Sequence, residues 1–167
     1  KAAENGVAIA QLYLGKAYIS GRGIIKDDAE GVGWFRKASE QGSAEAQYIL
    51  GISYVTGKGV SKYDDQADRW FPKAAEEGFA EAQYFLGLAY ANGEGVGKNA
   101  ADAVQWFKKS AEQNFAFAQY ELGVAYEIGH GLTKNEAEAV RWYRMAADQG
   151  NAKSQNNLGG RHNSGRR

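Results

Sequence analysis

Cysteine is absent from this chain of 167 residues, and its absence removes two kinds of chemistry at once. Neither a disulfide framework nor a thiolate metal site can be built. The compartment stays open, because oxidising compartments also hold cysteine-free proteins. Proline occurs once, at Pro72. No run of 18 apolar residues exists, so no membrane-spanning helix is predicted and membrane insertion is set aside. Charge of either sign is not in excess: 20 basic and 20 acidic side chains give a formal net charge of zero. A duplex nucleic-acid binder shows a basic stripe, and only the final RHNSGRR is basic. That stretch reads as a frayed terminus, with a basic tail at 164–167. The chain also lacks an initiating methionine. Its first residues, KAAENG, read as the tail of something already under way, which leaves two expectations: a longer protein, or a removed targeting segment.

Glycine, by contrast, is plentiful at 22 residues, and much of it is periodic. Gly15, Gly51, Gly87, Gly123 and Gly159 lie 36 apart, and so do Trp34, Trp70, Trp106 and Trp142, which are all the tryptophans. Tyr18, Tyr54, Tyr90 and Tyr126 form a third series, with His162 in the fifth place. A period of this size marks a solenoid of stacked supersecondary units. Inside a unit the spacing is helical. Ala82, Leu86 and Tyr90 make a stripe on a first helix, A, with Gly87 admitting a close neighbour; Ala103, Phe107, Ser110 and Ala111 do the same on a second helix, B, with Trp106 on its flank. Helices A are expected near 8–20, 44–56, 80–92, 116–128 and 152–163, and helices B near 28–40, 64–76, 100–112 and 136–148. Read as one repeat domain, the chain holds the end of a preceding helix B at 1–6, then full repeats near 8–42, 44–78, 80–114 and 116–150, then a terminal helix A.

The glycine pairs such as Gly93 and Gly95 invite a ligand-binding reading. A phosphate loop would need a preceding strand, a lysine followed by a hydroxyl residue, and uniqueness in the chain, and none of these holds. Gly21, Gly57, Gly93 and Gly129 instead fall where a left-handed residue caps helix A. Gly23, Gly59, Gly95 and Gly131 continue the turn, followed by Ile24, Val60, Val96 and Leu132 as buried aliphatics. Asp27, Asn99 and Asn135 suit the N-cap of helix B, with Glu30, Asp102 and Glu138 as capping-box acids. Tyr63 and Gln66 break that pattern, so the cap in that unit is expected to be weaker or displaced to Asp64. Helix B closes at Gly42, Gly78 and Gly150, with Asn114 as the fourth member. Pro72, well inside a helix B, is expected to kink or locally adjust it.

The unit A-E-A-Q-Y-x-L-G-x-x-Y-x-x-G-x-G-V, followed by A-x-x-W-F/Y-x-K-A-A-E-x-G, resembles the Sel1-like repeat, a relative of the tetratricopeptide repeat. The resemblance covers essentially the whole chain. It implies an all-α fold: a right-handed superhelix, or solenoid, of 36-residue antiparallel helix pairs. It also implies an adaptor or scaffold that binds a protein or peptide, in a periplasmic, secreted or secretory-pathway setting. One cysteine-rich bacterial branch, linked to penicillin binding, bridges its helices by disulfides; without cysteine this chain does not look like that branch, and a hydrolase reading is set aside.

In the arrangement the resemblance implies, helices A line a concave groove. Four rows then face a partner: Leu12, Tyr48, Tyr84 and Tyr120; Lys16, Ile52, Leu88 and Val124; Ile19, Val55, Ala91 and Glu127; and Ile9, Glu45, Glu81 and Phe117. The candidate partner-binding residues are Lys16, Ile19, Tyr48, Ile52, Tyr84, Leu88, Phe117, Tyr120, Val124, Glu127 and Ile128. An aromatic beside aliphatics in a concavity suits a peptide or partner helix. The competing account is packing for the tyrosines and for the tryptophans, whose indole N–H groups still need partners. No catalytic constellation emerges: His130 sits in a corner loop and His162 at the terminal helix, neither with a zinc-type partner four residues on. No cofactor or metal is called for. The alternative to a binding module is a rigid spacer, or end-to-end self-association of truncated repeats.

Overall fold

The computed structural model describes residues 1–61, 64–94 and 96–164, without the side chains of Val55, 64–68 and 161–164. Within it the chain is all α. Nine helices are described: α1 (Ala8–Ser20), α2 (Asp28–Glu40), α3 (Ala44–Thr56), α4 (Asp64–Glu76), α5 (Ala80–Asn92), α6 (Ala100–Glu112), α7 (Ala116–Ile128), α8 (Glu136–Asp148) and α9 (Ala152–Ser164). Odd numbers are helices A and even numbers helices B, each within a residue of the bounds that the period predicts. They form a repeat solenoid of paired antiparallel helices, in two compact units, 1–82 and 83–167.

Each pair is locked by a glycine opposite an aromatic ring. A Cβ on Gly15 would lie 2.6 Å from the Phe35 ring, and one on Gly51 would lie 3.0 Å from Phe71. In the second unit, Gly87 stands 2.6 Å from Phe107 in the same sense, and Gly123 stands 2.7 Å from Tyr143. The missing side chain on helix A is therefore the seat of the ring on helix B, and the helices approach closely as a result.

The corners are backbone devices. Gly21, Gly57, Gly93 and Gly129 have φ of 71°, 71°, 81° and 73°, and their N–H groups bond back to the last turn of helix A. The second glycine of the loop does something else. A Cβ on Gly59 would fall 2.2 Å from the carbonyl oxygen of Asp28, and one on Gly131 would fall 2.2 Å from that of Ala100. Each loop tip thus rests on the start of the preceding helix B. Gly23, with no repeat described before it, meets nothing within 4 Å. Gly95 lies outside the described residues.

Asp27, Asn99 and Asn135 cap the B helices as expected, each side-chain oxygen accepting two backbone N–H bonds of 3.0–3.2 Å. The reciprocal half of the capping box is not the arrangement found. The N-cap amide instead donates to the tyrosine carbonyl of helix A: Asp27 to Tyr18 at 3.1 Å, Asn99 to Tyr90 and Asn135 to Tyr126 at 2.9 Å each. That bond closes the A–B turn, and the acid is left to other work; Asp102 takes the Asn99 side-chain amide at 2.6 Å. The cap around Tyr63 and Gln66 lies outside the described residues.

B helices end at Gly42, Gly78 and Gly150, all with positive φ, and at Asn114, where φ is 67°. The next residue in each case donates to the carbonyl five positions back, Ser43 to Ala38, Phe79 to Ala74, Phe115 to Ser110 and Asn151 to Ala146. Helix α4 runs on through Pro72. The expected disturbance does not interrupt it, and Phe71 beside the proline still seats against Gly51.

A feature absent from the sequence reading joins one repeat to the next. Gln11, Gln47 and Gln119 are buried, and each donates through Nε2 to a backbone carbonyl eight residues earlier at 3.2 Å. Gln155 does the same at 3.1 Å. A second glutamine, thirty residues on, closes the set: Gln41 Nε2 donates to Gln11 Oε1 at 2.7 Å, Gln113 to Gln83 at 2.8 Å, and Gln149 to Gln119 at 2.7 Å. In the remaining repeat Glu77 holds the donor's place, and Gln47 Oε1 is buried without a partner.

Candidate functional site

Three of the four candidate residues of the first unit, Lys16, Ile19 and Ile52, converge on one cavity. Between α1 and α3 lies a space of about 450 Å³ lined in part by Ile19, Ile49, Ile52 and Phe35, with Lys16, Arg22 and Lys58 also around it. The apolar walls follow from the helical spacing of isoleucines on α1 and α3. Phe35 is buried, while the isoleucines are half-buried and Arg22 and Lys58 exposed. Lys16 is held by Glu45 at 2.6 Å and lies 5.4 Å above the Tyr13 ring. Ile19 also seats against Gly31, where a Cβ would lie 2.8 Å from it, so this residue serves the core and the cavity together. Leu12, from the same sequence rows, is core, 5% exposed beside Phe35, Ala38 and Ala46. Tyr48 packs on Phe79 and Phe71, with ring centroids 5.0 and 6.0 Å away. Burial, and then the charge of Glu81, push its phenol pKa up. The Val55 side chain lies outside the described residues.

The second unit gathers aromatics. Tyr84 meets Phe115 at 5.4 Å, Phe117 at 6.1 Å and Phe107 at 6.1 Å, and Phe115 meets Phe117 at 5.7 Å. Phe117 is 58% exposed, so the cluster runs from the core to the surface. Tyr120 stands 5.9 Å from Tyr143 and carries Lys153 at 5.5 Å over its ring. Burial raises the pKa of Tyr84 and Tyr120, and Glu121 adds to both shifts. Glu121 is itself raised by burial, against the opposing pull of Lys153. Leu88 and Val124 are half-buried, and Ile128, the last residue of α7, is 64% exposed.

Glu127 proves to have an internal partner. The Tyr143 hydroxyl donates to its carboxylate at 2.5 Å. Tyr143 is fully buried, and burial followed by this bond holds its phenol far above the usual range. The signal was present in the sequence: tyrosine replaces phenylalanine at 143, and glutamate replaces an aliphatic at 127, within one repeat.

The tryptophans are structural on their contacts. Trp70 packs with Val32 and Leu50, and Trp142 with Val104 and Leu122. Lys37, Lys73 and Lys109 lie over Trp34, Trp70 and Trp106 at 4.0, 5.0 and 4.0 Å, and Arg141 lies over Trp142 at 5.5 Å. The indole N–H groups of Trp70 and Trp142 are buried and unpaired. Among the described residues, no group of three or more His, Cys, Asp or Glu is placed to hold a metal ion. No described helix is long and apolar enough to cross a membrane. His130 is exposed in its loop, and the His162 side chain lies outside the described residues.

Comparison with known proteins agrees with this architecture. The Sel1 repeat matches residues 8–43, 44–79, 80–115 and 116–151, and the chain belongs to that family. Similar solved structures include a Sel1 repeat protein from Oxalobacter formigenes, 35% identical with a TM-score of 0.89 over 94% of this chain and 45% of that one. Another is c5321, a protective antigen present in uropathogenic Escherichia coli strains displaying an SLR fold, 43% identical with a TM-score of 0.88 over 98% of this chain and 35% of that one. The chain therefore spans less than half the length of either. Cysteine-rich protein B of Helicobacter pylori is 25% identical, with a TM-score of 0.61 over 78% of this chain and 94% of that one. No curated protein matches the chain. Repeats of this family are typical of protein-interaction scaffolds.

Proposed function

We propose that the chain binds a peptide or a segment of a partner protein along the face of its helices A. The observation that carries this reading is the convergence of Lys16, Ile19 and Ile52 on one apolar cavity between α1 and α3. A pocket of this size, apolar with a few polar groups at its edge, is what a recognition site requires. In the second unit, Phe117 and Tyr84 supply large rigid side chains, of the sort that anchor an interface. Affinity capture from the source lysate tests the reading with three baits: wild type, Ile52→Glu, and the triple variant Phe117→Ala, Tyr84→Ala and Tyr120→Ala. Each bait is first checked for unchanged helicity. A partner held by wild type and lost by either variant supports the proposal. Equal capture by all three refutes it.

A further inference from the structure

The cavity between α1 and α3 says something about the chemistry of its occupant. Its walls are aliphatic and aromatic, and every charged residue around it is basic: Lys16, Arg22 and Lys58. In a chain of net charge zero, this edge is locally positive without a lining carboxylate. Lys16 is neutralised by Glu45. Among the described residues Arg22 and Lys58 form no ion pair, and both are exposed in the corner loops just past α1 and α3. The hydroxyls of Ser20 and Thr56, at the same edge, already donate to carbonyls one turn back, at 2.8 Å each. The hydroxyl oxygens can still accept, but the charged groups left without an ion pair at this edge are Arg22 and Lys58.

We infer that this cavity receives one aliphatic or aromatic side chain of a partner segment in which acidic residues flank that anchor. The inference rests on the function proposed above and narrows it. Apolar burial of the anchor side chain supplies the affinity. The two unpaired cations select the sign of the flanks and speed association, and this part weakens with salt. Lys16 adds to it only if an incoming carboxylate displaces Glu45. The selection thus resides in Arg22 and Lys58.

NMR titration of the ¹⁵N-labelled chain tests this with three blocked peptides as probes: Asp-Glu-Leu-Asp-Glu, Lys-Lys-Leu-Lys-Lys and Asp-Glu-Ala-Asp-Glu. The acidic leucine peptide is expected to shift amides around Ile19 and Ile52, and to bind about tenfold more tightly than the basic one. The alanine peptide is expected to lose most of the binding. The double variant Arg22→Glu, Lys58→Glu should invert the preference between the charged leucine peptides, and these exposed positions leave the core untouched. Ile52→Glu should abolish both. If the two leucine peptides bind equally, or the basic one more tightly, the inference falls while the proposed function stands. If no peptide shifts the cavity amides at millimolar concentration, both fall.

Discussion

Replacing Glu77 by glutamine restores a bond that three other repeats make. Gln41, Gln113 and Gln149 each donate to the side-chain oxygen of a glutamine thirty residues earlier, at 2.7–2.8 Å. Ionised Glu77 has no hydrogen to give, and Gln47 Oε1 is left buried and unpaired. A buried acceptor without a donor costs about 1–3 kcal/mol, and a typical hydrogen bond gained is worth about 1 kcal/mol net. Glu77→Gln is therefore expected to stabilise the chain by about 1–3 kcal/mol. In a protein of this size that raises Tm by about 2–4 °C per kcal/mol. Urea unfolding followed by helicity measures it, with the midpoint rising and the slope unchanged. Glu76→Gln controls for charge, since it removes the same charge from the neighbouring residue, which does not hold the donor's place thirty residues after Gln47. The converse change, Gln149→Glu, should destabilise by a similar amount, because it leaves Gln119 Oε1 in the state of Gln47 Oε1. If Glu77→Gln leaves the midpoint unmoved, or Glu76→Gln raises it equally, the hydrogen-bond argument is wrong.

Two further expectations follow from the same structure. Gly23→Ala and Gly131→Ala both place a side chain at positive φ, a cost of about 1–2 kcal/mol from conformation alone. Gly131→Ala also drives a methyl into the Ala100 carbonyl, so its unfolding midpoint should fall further than that of Gly23→Ala; equal losses would refute the contact between loop and preceding helix. Glu121 has a raised pKa in the folded state, so folding favours its protonated form and this contribution is lost as pH rises from 4.5 through the raised value. Glu121→Gln should accordingly raise Tm at pH 7 and match wild type near pH 4, and a Tm difference independent of pH would refute the burial of that charge.

The helices were legible because one period fixed everything that depends on spacing. Gly87 could be read as a site of close approach, and the period carries that to Gly51 and Gly123; that each seats a ring of helix B, Phe71, Phe107 or Tyr143, emerges only from the structure. The glutamine bonds were not read, although Gln11, Gln47, Gln83, Gln119 and Gln155 share a phase within an otherwise apolar stripe. A buried polar residue at an invariant phase signals a bond between units, but its acceptor is a backbone carbonyl, which no side-chain pattern names. The capping acids were misjudged for a related reason: the N-cap amide went to a carbonyl of the other helix. On the candidate face, Lys16, Ile19 and Ile52 came together. Glu127 found Tyr143 across a helix pair: the two replacements are visible in the sequence, but the distance between them is set by the packing of the pair.

The corners leave a freedom that the helices do not have. Their shape is set by a left-handed glycine, at Gly59 and Gly131 by a second glycine resting on the preceding repeat, and at Asp27, Asn99 and Asn135 by the bond from the N-cap amide to the tyrosine carbonyl. None of these involves the side chain at the tip. Arg22, Lys58, Glu94 and His130 hold that position in successive repeats, two cations, an acid and an imidazole, all exposed. Substitution there changes the surface without changing the frame, so the tips can diverge from one protein to the next at almost no cost in folding. Within each unit two such positions recur one repeat apart, and recognition can be rewritten there one side chain at a time.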